Sequence, residues 1–142
     1  MEIYHTSPDK ILEINNNGMF GDVLFFSDNV YFMTQSNDPV VYKMEVSEDS
    51  IIDVRNLDSE SVIVRIAEYL NINEDDAERV LDGRDTAWDY NGDGEADWYM
   101  QQLQAECAKE MGYKACRSQD EQGVVYMICM TDMLDELIEV PQ

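Results

Sequence analysis

The chain is poor in histidine, cysteine and positive charge. His5 is its only histidine, and its three cysteines, Cys107, Cys116 and Cys129, are odd in number and lack a CxxC spacing. Zinc sites gather several such ligands at short spacing, so the sequence argues against one and the thiols read as reduced. Only 9 Lys plus Arg stand against 31 Asp plus Glu, a formal net charge of -22. That potential repels phosphate backbones, which argues against direct DNA or RNA binding. It leaves two readings, a basic protein partner or plain solubility. No run approaches 18 apolar residues, and Met-Glu-Ile-Tyr-His at the start has neither a basic nor an apolar leader segment, so neither membrane insertion nor export is expected. A cytoplasmic location follows as the expectation.

What is present suits a folded domain. A chain of 142 residues with 44% hydrophobic content can bury roughly two-thirds of its unfolded surface, and no internal repeat or low-complexity linker divides it. One domain spanning residues 1–142 is expected.

Periodicity places the elements. Glu2 to His5, Val23 to Phe26, Val40 to Val46 and Ile51 to Val54 read as strands, with a helical turn after Ser7-Pro8 carrying Ile11, Leu12 and Ile14 and stopped by Asn15 to Gly18. Val62, Ile63, Ile66, Ala67 and Leu70 take helical spacing behind Ser59, and Asn73 caps a second helix through Leu81. Trp98 to Met111 reads as a longer helix with Asp97 as N-cap and Gly112 as stop. Strands Tyr113 to Arg117 and Val124 to Met130 then flank a turn, Ser118-Gln119-Asp120-Glu121-Gln122-Gly123, and Leu137 to Val140 forms an edge strand. The class is α+β, mostly antiparallel, with helices in the middle and one long helix in the C-terminal half.

Four clusters carry candidate chemistry. Tyr4-His5-Thr6-Ser7 ends a strand at a histidine, whose ring donates one hydrogen bond and accepts another, as ribose hydroxyls require; a satisfied strand-end residue is the alternative. Gly18-Met19-Phe20-Gly21 is a tight turn before Phe25 and Phe26, and strand alternation sends those two rings to opposite faces, so at most one lines a pocket. Asp120 and Glu121 offer a carboxylate on a rigid β element, able to stabilise positive charge as a glycosidic bond breaks, or simply a solvated turn. Asp89 to Asp97 matches the first nine positions of a calcium loop of EF-hand type, but Met100 stands where the bidentate Glu belongs; the other reading is an acidic turn that caps a helix.

In this order, the stretches Glu2 to Ser7, Gly18 to Gly21, Leu24-Phe25, and Met111-Gly112-Tyr113 leading into Asp120 to Gly123 resemble the ADP-ribosyltransferase fold. Within it they are similar to the phage-encoded anti-CRISPR ADP-ribosyltransferases that inactivate type I-F surveillance complexes. The resemblance implies a small ADP-ribosyltransferase-like fold and transfer of ADP-ribose from NAD, the co-substrate, to a protein side chain. For those relatives the acceptor is an asparagine in the subunit that recognises the DNA motif beside the target, and modification blocks DNA binding. Carried over, the catalytic acid falls on Asp120, with Glu121 as the alternative, since Gln119-Asp120-Glu121 also fits a Gln-x-Glu pattern. The ribose histidine falls on His5, the aromatic wall on Phe25, and Thr6 offers backbone groups to the nicotinamide amide; Ser7 and Phe20 complete the NAD-binding set. No metal is required, and the chain is expected to act as a monomer on a basic protein, without touching nucleic acid or membrane. The rival reading is a non-enzymatic acidic DNA mimic that fills the nucleic-acid channel of a basic protein.

Overall fold

The computed structural model describes residues 1–7, 23–28, 40–120, 123–130 and 136–140. The expected helical turn at Ile11 to Ile14, its stop at Asn15 to Gly18 and the Gly18 to Gly21 turn lie outside these residues. Among the described residues, seven strands form two sheets. The first orders β1 (Glu2–Ser7), β3 (Val40–Glu45) and β7 (Ile138–Val140), all antiparallel. The second orders β2 (Val23–Phe26), β6 (Gly123–Cys129), β5 (Ala115–Asp120) and β4 (Ile51–Asp53), antiparallel except for the parallel β4–β5 pair. Tyr4 and Ser27 stitch the sheets together by exchanging both backbone hydrogen bonds, at 2.7 and 2.8 Å.

The alternation of the second sheet decides the layers. Val23, Phe25, Ile52, Cys116 and Met127 pack with the helices, whereas Leu24, Phe26, Ala115, Tyr126 and Ile128 pack with Ile3, Met44 and Val46 of the first sheet side. The second sheet is thus covered on both faces, and each large apolar side chain fully buried there contributes about 1.5–3 kcal/mol.

Among the described residues, three α-helices share the core on one face of the second sheet. α1 (Glu60–Leu70) starts where the Ser59 hydroxyl accepts the Val62 N–H and ends at Asn71 in the left-handed region. α2 (Glu74–Leu81) starts where the Asn73 side chain accepts the Asp76 N–H at 2.8 Å, with Glu74, Asp75 and Asp76 against the positive end of the helix dipole. α3 runs from Gly94 to Glu110, and its N-cap is Asp93, which accepts the Ala96 N–H at 2.8 Å. The expected start after Asp97 is therefore four residues late. Both aspartates precede helix-forming residues, but Asp93 follows the turn at Asn91-Gly92, and Asp97 lies in the first turn of the helix.

The C-terminal hairpin differs from expectation as well. β5 begins at Ala115 and continues through Asp120, so Ser118, Gln119 and Asp120 are strand rather than turn, and Asp120 pairs with Gly123. Gly123 has a φ of 122°, a conformation that a residue with a Cβ rarely adopts, which explains the glycine there.

Candidate functional site

His5 is the best-defined of the expected site residues. Its Nδ1 lies 2.7 Å from the carbonyl oxygen of Phe25, and its ring centroid 5.6 Å from that of Phe26 at an interplanar angle of 52°. A carbonyl can only accept, so Nδ1 carries the proton and Nε2 of the neutral ring is an acceptor. Burial lowers the pKa of His5 and the Phe25 bond raises it, with burial the larger influence. The neutral ring is favoured, and with it the acceptor.

Phe25 and Phe26 divide as their alternation requires. Phe26 is 1% exposed and fills the space between the sheets, while Phe25 is partly buried on the helix side. The Thr6 and Ser7 backbones pair with Val41 and Val40. Phe20 and Glu121 lie outside the described residues, as do the side chains of Thr6, Ser7 and Asp120.

The backbone brings His5 and Phe25 together and leaves Asp120 apart from them. Strands β2 and β6 lie between the strands of His5 and Asp120. Through Tyr126, Phe26 is in register with Arg117, three residues before Asp120.

Two cavities meet beside Asp120, at Ser118 and Gln119. One, of about 630 Å³, lies between that strand end and the helices and is lined also by Asp85, Trp88, Asp97 and Gln101. Trp88 is 60% exposed on a 3₁₀ turn, Ala87–Tyr90. Asp85 accepts from the Tyr90 hydroxyl at 2.5 Å and from Arg79 Nε at 3.0 Å, and both bonds hold its carboxyl below the usual range. The other cavity, of about 350 Å³, is lined by Asp53, Arg55, Gly83 and Arg117 as well. The two arginines belong to no motif. They are 62 positions apart in sequence, and only the parallel β4–β5 pair, which aligns Asp53 with Arg117, brings them near.

The loop of calcium type is occupied with capping. Asp89 accepts from the Thr86 N–H at 2.8 Å and from its hydroxyl at 3.3 Å, Asp93 caps α3, and Asp97 accepts from Gln101 at 3.1 Å. Gly92 donates to the Ala87 carbonyl at 2.8 Å, and a Cβ there would meet that oxygen at 2.8 Å, so close backbone approach accounts for the glycine. Among the described residues no three His, Cys, Asp or Glu side chains gather as a metal site would require. No described helix is long and apolar enough to cross a membrane.

The family model described as "Anti-CRISPR Type I-F ADP-ribosyltransferase AcrIF11" matches residues 1–136. Among solved structures, one described as "Crystal structure of an anti-CRISPR protein" is similar at 21% sequence identity and a TM-score of 0.57, over 91% of this chain and 88% of its own. At that identity the likeness concerns the fold. No curated protein matches the chain by sequence.

Proposed function

The chain belongs to the anti-CRISPR type I-F ADP-ribosyltransferase AcrIF11 family and is an anti-CRISPR ADP-ribosyltransferase, and we propose that as one domain, monomeric in the host cytoplasm, it uses NAD to modify a type I-F surveillance complex. The acceptor is an asparagine side chain of the subunit that recognises the DNA motif, and its modification blocks DNA binding. The acidic surface, with its net charge of -22, favours encounter with a complex built to bind DNA.

In the reaction the bond between ribose C1 and the nicotinamide nitrogen breaks, and nicotinamide leaves with the electron pair. The acceptor nitrogen bonds to C1 and gives up a proton. Asp120 hydrogen-bonds the nicotinamide-side ribose and stabilises the positive charge that develops at C1. Glu121 orients or deprotonates the acceptor, and it is the alternative catalytic acid. The observation that supports a ribose site is the His5–Phe25 pair, because a ring held by Nδ1 presents Nε2 to a hydroxyl donor. The separation of His5 from Asp120 favours their holding different parts of one extended dinucleotide.

Release of nicotinamide by wild type, Asp120→Asn and Glu121→Gln, with labelled NAD and the purified complex, tests this reading. Asp120→Asn should abolish transfer and leave NAD binding largely intact. Full activity in that variant would sink Asp120 as the acid, and inhibition that needs equimolar protein and no NAD would instead support the DNA-mimic reading. Mass spectrometry of the complex identifies the acceptor.

A further inference from the structure

In a chain this acidic an unpaired cation is the exception. Lys43, Arg65, Arg79, Arg84, Lys114 and Arg117 each sit within ion-pair distance of a carboxylate. Arg55 has no carboxylate partner among the described residues, although its own backbone N–H is held by Asp53 at 3.1 Å. Its Nε lies 4.0 Å from where a Cβ on Gly83 would stand, which places the Arg55 side chain beside Gly83 at the cavity wall.

That wall belongs to the cavity of about 350 Å³ at the end of β5. Arg117 stands in the same lining, paired with Asp53 at 3.5 Å, longer than a charge-assisted hydrogen bond of about 2.7–2.9 Å. Ser118 and Gln119 add a hydroxyl and an amide. The sheet also stops short here, because β4 ends at Asp53, in register with Arg117, whereas β5 goes on to Asp120. Among the described residues, positions 118–120 are therefore paired on the β6 side alone.

We propose that this cavity is an anion site that takes the diphosphate of NAD, with Arg55 as its principal cation and Arg117 as its second. The assignment rests on the reading of Asp120 as the catalytic acid. In NAD the diphosphate hangs from the same ribose that loses nicotinamide, so a diphosphate subsite must adjoin the carboxylate at that ribose. Gln119, which lines the cavity, is the residue before Asp120. A guanidinium presents a planar fork of donors that matches two phosphate oxygens, which an ammonium cannot do as well. A dianion approaching this surface elsewhere meets net negative charge, whereas this cavity sets two arginines against the one carboxylate of Asp53. Asp53 keeps Arg117 oriented, while Arg55 is free to close on the ligand.

The test measures NAD affinity by calorimetry in the Asp120→Asn protein, where turnover does not interfere, with and without Arg55→Gln. The expected result is about a tenfold weaker Kd, or about 1.4 kcal/mol, with only part of the loss recovered by Arg55→Lys, which keeps the charge and lacks the fork. Arg65→Gln, which removes the same charge from the α1 surface, should leave Kd within twofold. In the otherwise wild-type enzyme Arg55→Gln should raise KM for NAD and leave kcat within about twofold. Inorganic pyrophosphate should compete with NAD in wild type and tenfold less well in Arg55→Gln. Since Arg55 makes no side-chain hydrogen bond or ion pair among the described residues that its loss would break, the variant should melt close to wild type, and circular dichroism verifies that. An unchanged Kd for NAD in the double variant overturns the subsite and leaves the transferase reading standing. Pyrophosphate binding that depends on Arg55 but does not compete with NAD also overturns it, since the anion would then come from another source.

Discussion

His5 Nδ1 lies 2.7 Å from the Phe25 carbonyl oxygen, a contact that commits the other ring nitrogen to accepting. Burial holds the pKa of the ring below its ordinary value of 6.5 despite that contact. As pH falls, the unfolded chain therefore takes up this proton first. The stability it contributes is complete above about 6.5 and is lost as pH falls toward the lower folded value. Each unit of depression corresponds to about 1.4 kcal/mol. Denaturant unfolding between pH 8 and pH 5 should show this loss in wild type and not in His5→Gln, and equal slopes would refute it. KM for NAD should rise over the same range as Nε2 becomes a donor.

Phe25 and Phe26 are adjacent in sequence and serve opposite faces of one sheet. Removing the ring of Phe26, 1% exposed between the sheets, should cost about 3–5 kcal/mol of folding free energy. Phe25→Ala should cost clearly less, because that ring is only partly buried, and its larger effect should fall on NAD affinity. Thermal melts of the two variants, read beside NAD titrations, decide this. Equal destabilisation would remove the distinction.

Burial pushes the thiol of Cys116 up to about 12 and that of Cys107 up to about 11. Thiolate is the reactive form, and all three cysteines are buried and outside any disulfide. The folded protein at pH 8 should thus react with a disulfide reagent no faster than it unfolds, and denaturant should release three equivalents. Rapid labelling of the native protein at Cys116 would contradict the packing of β5 against the helices.

Gly92→Ala would drive a methyl group to 2.8 Å from the Ala87 carbonyl oxygen, backbone that has little room to yield. A destabilisation of about 1–3 kcal/mol is expected. Asp93→Ala removes the N-cap of α3 and should cost about 1 kcal/mol. Millimolar calcium should leave the melting temperature of wild type and of both variants unchanged, since Asp89 and Asp93 already satisfy backbone donors. A calcium-dependent rise would restore the metal reading of the loop.

Local chemistry made much of the fold legible. Ser59 and Asn73 cap the helices that their spacing announces, and Val23 to Phe26 is a strand to the residue. These features rest on side chains reaching two or three positions. Where two signals compete within a few residues, as Asp93 and Asp97 do, sequence spacing does not rank them. Extension of β5 to Asp120 follows from pairing with β6, whose geometry depends on Gly123 in an unusual conformation. In the candidate site, the ring nitrogen that His5 offers could not be read before its partner on β2 was known. The approach of Arg55 to Arg117 depends on a parallel pair closed across the three helices, a relation that no local window of sequence contains.

The pairing of Phe26 with Tyr126 has a bearing on synthesis. Among the described residues β2 has no full-length strand partner other than β6, which leaves the ribosome roughly a hundred residues later. At about 5–20 residues per second, β2 waits on the order of 5–20 s beside a first sheet that also lacks β7. A nascent chain in that interval holds His5 without the completed second sheet behind it. The enzyme therefore comes into being only when its C-terminal strands arrive, and in an infected cell that delay adds to the time during which the defence complex acts unopposed.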